Sequence, residues 1–131
     1  MLPGTNRAAD RFVRASFYVN AVPKTDDPVQ AVAAVFSVMR NASVPYGIST
    51  PDEPNISTTR WRTVVDHKSL RYFFESGLSP NTFWVELGNL DFAEGAQTKR
   101  LNLGEGEQTV YAGDASARFE QAQPFIFMPV P

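Results

Sequence analysis

The apolar pattern of this chain changes period once, and that change sets what it can fold into. Up to Met39 the apolar residues recur at helical spacing, and from Arg60 onward they alternate. A helical first part followed by an alternating second part predicts helices packed on an antiparallel meander, an α+β arrangement.

The first helix is expected from Arg11 to about Val22, with Val13, Phe17 and Ala21 stacked at i, i+4 and i+8 and Asp10 as its N-cap. Pro23-Lys24-Thr25 ends it. The second helix carries the clearest pattern. Asp27 can cap, Pro28 fits the first helical position, and Val29 to Met39 is strongly apolar. Val32, Val35, Phe36 and Met39 share a face, alanines at 31, 33 and 34 permit close packing, and Arg40 suits the negative end of the helix dipole. The expectation is a helix buried on most sides.

From Asn41 to Ser57 three prolines and a glycine predict a long ordered loop, which serves a binding site as readily as it serves as a connector. Arg60–Asp66, Leu70–Glu75 and Thr82–Leu87 then read as three antiparallel strands, joined by turns at His67-Lys68 and Gly77–Asn81. Trp61, Thr63 and Val65 fall on one face of the first strand, with Trp61 expected to point into the core, and Arg62 and Val64 fall on the other. Beyond Leu90, Thr98–Leu103 is a further strand or extended segment and Gly104–Gly113 is turn-rich. Ala115–Gln121 suits a short helix, and Phe125–Met128 an apolar tail tucked into a groove.

Composition bounds the function. The 131 residues make one domain, 1–131, long enough to bury about two thirds of their unfolded surface. A net charge of −2 predicts no general pull toward nucleic acid or anionic membrane. No apolar run approaches the roughly 18 residues that span a bilayer. With no cysteine and a single histidine, His67, set in a turn, neither a disulfide nor a structural zinc site is expected. Gly104-Glu105-Gly106 lacks the residues of a phosphate loop or dinucleotide fingerprint, and no Gly-x-Ser-x-Gly elbow occurs. The expectation is therefore no cofactor and no metal.

Leu2-Pro3-Gly4 ahead of Asp10-Arg11-Phe12-Val13-Arg14-Ala15 begins a more specific pattern. The alanine-rich helix ending Phe36-Ser37-Val38-Met39 follows, then Ser43-Val44-Pro45-Tyr46-Gly47. The hairpin Thr63–Asp66 to Tyr72–Glu75 completes it. In order and spacing this resembles the C-terminal part of the choloylglycine hydrolase and penicillin V acylase family. These are linear-amide hydrolases of the N-terminal-nucleophile superfamily. The resemblance runs from Leu2 to Leu90, and Pro45-Tyr46-Gly47 with Ser49-Thr50-Pro51-Asp52 looks most like Gram-negative members.

The resemblance implies one helical layer and several strands of an αββα sandwich. It implies an enzyme cleaving conjugated bile salts, penicillin V or related N-acyl amides through a cysteine at its mature N-terminus. The α-amine of such a cysteine, with an ordinary pKa of about 7.7–8.0, can take the thiol proton, and a nearby arginine favours the thiolate. By its place in the motif Arg11 is that arginine, the one catalytic residue carried over; the competing reading is a helix-start arginine paired with Asp10 or solvated. The nucleophile belongs to a part that is absent here. The chain is thus expected to be inactive alone, with uncovered apolar faces that lead it to self-associate or to pair with an N-terminal half. The alternative is a non-catalytic binding or interaction module of the same fold. Read as a complete chain it would be cytoplasmic; downstream of a secretory signal in a Gram-negative host it would be periplasmic. Tyr46, Trp61 and Phe83 suit an acyl pocket or the core.

Overall fold

The computed structural model describes residues 1–104 and 110–128. Two helices, α1 (Ala8–Ala21) and α2 (Pro28–Asn41), precede three long strands, β1 (Trp61–Asp66), β2 (Arg71–Ser76) and β3 (Thr82–Glu86). Short pieces follow: β4 (Lys99–Arg100), β5 (Gly113–Asp114) and β6 (Glu120–Gln121), with single 3₁₀ turns at Leu87–Asn89 and Ser116–Arg118. The main sheet runs β1-β2-β3-β5, antiparallel except for the parallel β3–β5 pair. β4 and β6 form a separate two-stranded ladder. The architecture is α+β.

α1 starts earlier than its pattern suggests. Arg7 takes the N-cap position without a side-chain bond, and Asp10 lies inside the first turn, where it accepts the Thr5 hydroxyl. A carboxylate there still complements the helix dipole. α1 stops at Ala21 because Val22, ahead of Pro23, must be extended. α2 follows its sequence closely. Asp27 Oδ1 accepts from the backbone N–H of Val29 at 2.8 Å and of Gln30 at 3.2 Å, and Pro28 opens the helix. Its burial is narrower than expected: Phe36 and Val38 are buried, whereas Val29 and Val35 are exposed. One sheet face and one neighbouring helix cannot cover an all-round apolar helix.

Alternation gives the sheet two distinct faces. Val64, Phe73 and Trp84 are aligned across β1, β2 and β3 on the face toward α2, where Phe36 and Phe73 pack edge-on with ring centroids 6.3 Å apart. The opposite face holds Phe74 stacked on Phe83 at 5.2 Å. With Val85 and Ala115, Phe83 makes a buried apolar cluster, and the C-terminal segment supplies Tyr111 and Phe119 to it. Trp61 lies on this second face but on the edge strand, and it is 60% exposed rather than core-facing.

The C-terminal stretch departs further from its pattern. Ala115–Gln121 forms one 3₁₀ turn and a short strand, not a helix. Phe125, Ile126, Phe127 and Met128 are 78–90% exposed and are not tucked in. Most of the turn-rich stretch between Gly104 and Gly113 lies outside the described residues. The chain exposes 10296 Å² of surface, where a folded monomer of 14.5 kDa exposes about 6,900 Å².

Candidate functional site

Arg11 sits in the first turn of α1, and the packing of α1 beside α2 turns its guanidinium toward the end of α2. Its Nε donates to the carbonyl oxygen of Ala42 at 2.6 Å. Ala42 is the C-cap of α2, so this carbonyl has no intrahelical partner and is open to an outside donor. Among the described residues no carboxylate comes within ion-pair distance of Arg11. Asp10, the nearest acid in sequence, is occupied with Thr5. Arg14, one turn on, is tied to the carbonyls of Pro3 and Thr5 at 2.9 Å each. The two arginines of the motif thus differ: Arg14 pins the incoming chain, and Arg11 is held by one nitrogen with no carboxylate in ion-pair distance among the described residues.

Arg11 also lines a cleft of about 430 Å³, whose far wall is the proline loop at Glu53, Pro54, Asn55, Ile56 and Ser57. The loop is ordered by local bonds, Thr50 and Glu53 exchanging both backbone hydrogen bonds at 3.2 Å. At its end Thr59 pairs with Val44, donating its N–H to the Val44 carbonyl and accepting the Val44 N–H at its Oγ1, both at 3.0 Å.

Behind this cleft lies a charged cluster that inspection of the sequence does not single out. Glu75 is 4% exposed. It accepts from Arg62 Nε at 2.9 Å, from the Arg40 guanidinium, and from Thr82 Oγ1 at 2.8 Å. Burial works against its charged form, but the hydrogen bonds from Arg40, Arg62 and Thr82 outweigh that and hold the carboxyl below its ordinary range. The signal that could have found it is parity. Arg62 shares a face with inward Val64, Glu75 shares a face with inward Phe73, and opposite charges on the buried face of two pairing strands need each other.

The aromatic candidates divide. Trp61 and Phe83 line one cavity of about 200 Å³ with Phe74 and Tyr111, whereas Tyr46 lines a separate cleft beneath the Arg60 guanidinium, 5.9 Å from its ring centre. They do not form one pocket. His67 is exposed in the β1–β2 turn.

Two helices on an antiparallel-dominant sheet define part of an N-terminal-nucleophile hydrolase fold. The chain belongs to the choloylglycine hydrolase family of linear amide C–N hydrolases, whose family model matches residues 1–101. It is similar to the penicillin V acylase of Pectobacterium atrosepticum, with 56% identity over 140 aligned positions covering 97% of this chain and 37% of that protein. The solved structure of penicillin V acylase from Agrobacterium tumefaciens superposes with a TM-score of 0.88 at 58% identity, covering 99% of this chain and 41% of that one. The chain thus spans about two fifths of the length of these relatives.

Proposed function

We propose that this chain forms the C-terminal portion of an amide hydrolase that cleaves N-acyl amides of the penicillin V type, with Arg11 as its active-site arginine. The observation that carries the reading is the state of Arg11. Its guanidinium is anchored by a single carbonyl, faces a cleft, and among the described residues has no carboxylate within ion-pair distance. A cation in that condition suits a thiolate supplied by another segment, because a neighbouring positive charge lowers a thiol pKa. The thiolate adds to the amide carbonyl, the amine leaves with a proton from the nucleophile's own amino group, and water releases the acyl group. This chain has no cysteine, so its own contribution is charge and scaffold.

The names of the two relatives favour penicillin V over conjugated bile salts as the first substrate to test. The large exposed surface supports a chain that works against further protein, rather than a stand-alone binding module.

The test is co-expression with the portion of the Pectobacterium acylase that this chain does not match. Penicillin V hydrolysis is expected in the assembled pair and not in the 131-residue chain alone. Arg11→Ala in the pair is expected to lower kcat/KM by about a hundredfold or more, the scale for losing one preorganised electrostatic group. Full activity in the Arg11→Ala pair refutes the assignment, and hydrolysis by the chain alone refutes the division of labour.

A further inference from the structure

We infer that Glu75 is a positioning residue for Arg11, acting through Arg40, Arg62 and the peptide that joins Ala42 to Ser43. The inference rests on the proposed role of Arg11 for its functional meaning, but the coupling itself is a property of this chain's geometry.

The carbonyl that holds Arg11 belongs to Ala42, and the residues on both sides of it lead to Glu75. Arg40, two residues before, gives its guanidinium to Glu75 while its own carbonyl accepts the Ser43 N–H at 3.2 Å. That bond fixes one end of the peptide plane whose other end is the Ala42 oxygen. Ser43, one residue after, donates its hydroxyl to the Met39 carbonyl at 2.7 Å and receives Arg62 Nη1 at 3.3 Å. Arg62 in turn gives Nε to Glu75 at 2.9 Å. The carboxylate therefore grips the last turn of α2 from two directions, one through a helix residue and one through a strand residue. The direction of the Ala42 carbonyl follows from that grip, and with it the direction of the Arg11 side chain.

The geometry explains why an acid is buried at this point. Thr82 on β3 supplies a further donor, so the carboxylate ties three strands and a helix end together. An ion cluster serving stability alone has no need to converge on the one peptide that carries the Arg11 contact. Ordinary sheet–helix packing by Val64, Phe73 and Phe36 already joins these layers.

The experiment follows the arginine Nε–H groups of the full 131-residue chain in ¹H–¹⁵N spectra. The Arg11 signal is assigned from its loss in Arg11→Lys. Arg71, whose Nε donates to Glu86 Oε1 at 2.6 Å elsewhere on the sheet, is the internal reference. In Glu75→Gln the solvent exchange of the Arg11 Nε–H is expected to quicken by roughly tenfold, the change for losing one hydrogen bond of ordinary net strength, with Arg71 unchanged. Ser43→Ala leaves Glu75 and its ion pairs in place and cuts the strand-side link together with the hydroxyl's bond to the Met39 carbonyl, so it is expected to move the same signal by a smaller factor.

An unchanged Arg11 signal in Ser43→Ala overturns the inference, even if Glu75→Gln fails to fold. Equal acceleration of Arg11 and Arg71 overturns it too, because that is general loosening. The spectra read position and not turnover, so they remain informative if Arg11→Ala proves harmless to hydrolysis; that result defeats the proposed function and leaves the coupling standing.

Discussion

Arg62 and Glu75 stand directly opposite each other on β1 and β2, and their side chains meet at 2.9 Å on the face that α2 covers. The Arg62 side chain is 20% exposed and that of Glu75 is 6% exposed, so neither ion has full hydration. Arg40, with a side chain 54% exposed, reaches the same carboxylate from the helix. The acid is thus the shared point of a strand pair and a helix end, and its loss leaves two cations facing one another.

Glu75→Gln is expected to cost about 2–3 kcal/mol, a little under the usual range for breaking a buried pair because Arg40 can turn to solvent. Urea denaturation followed by Trp fluorescence measures it. A change below about 0.5 kcal/mol, the size of an ordinary surface substitution, defeats the assignment of the cluster as a structural tie.

The same carboxylate makes the fold acid-sensitive. Its folded pKa is depressed from the ordinary 4.5, so its stabilisation is fully present above pH 4.5 and is lost as pH falls through the folded value. Asp66 is depressed by the Ser69 hydroxyl and Asp114 by the Ser116 hydroxyl, and they act in the same sense from exposed positions. Thermal melts below pH 5 are expected to flatten in Glu75→Gln while keeping the smaller slope of the two aspartates. An undiminished slope in the variant places the acid sensitivity elsewhere.

Gly77 is held against the end of the loop before β1. A Cβ there meets the Thr59 carbonyl oxygen at 2.7 Å and that of Arg60 at 3.1 Å, both backbone, while Gly77 donates its own N–H to Arg60 at 2.6 Å. Gly77→Ala is expected to destabilise by about 1–3 kcal/mol through this overpacking. Gly88→Ala meets nothing and should stay within about 0.5 kcal/mol. Matched denaturation curves decide, and equal effects at the two sites contradict the clash.

Leu70, in the turn between β1 and β2, has φ of 54° and is exposed. A leucine in left-handed backbone costs roughly 1–2 kcal/mol, and asparagine carries less of that penalty. Leu70→Asn is expected to raise the melting temperature by a few degrees. A fall in melting temperature means that the side chain packs usefully.

The tail Phe125–Met128 and the open end of β1 at Trp61 expose apolar surface together. The chain alone is expected to self-associate at micromolar concentration, and Phe125→Ser with Phe127→Ser to reduce that association without lowering the melting temperature. Light scattering beside a thermal melt checks both. A monodisperse unmodified chain contradicts the expectation.

Local chemistry made the elements legible. Asp27 and Pro28 set the start of α2, Pro23 the end of α1, and strict alternation from Trp61 placed all three long strands within a residue or so of their observed ends. Such signals act over a few residues, within reach of a capping bond or a pleat. The start of α1 was less legible, because Asp10 is a good cap by type and Thr5 claimed it instead. The motif around Arg11 marked its position, and only folding showed what holds it.

What sequence by itself determined, then, is the class of fold, the extent of the long strands and the residue at which to look. Tertiary structure alone decided that Arg11 reaches the carbonyl of Ala42, 31 residues away, and that Glu75 gathers Arg40, Arg62 and Thr82. It also decided that Trp61 and Phe125–Met128 remain in solvent. The physical reason is range. Propensity and periodicity describe which face a residue presents, but partner and cover are set by whichever distant segment arrives at that face.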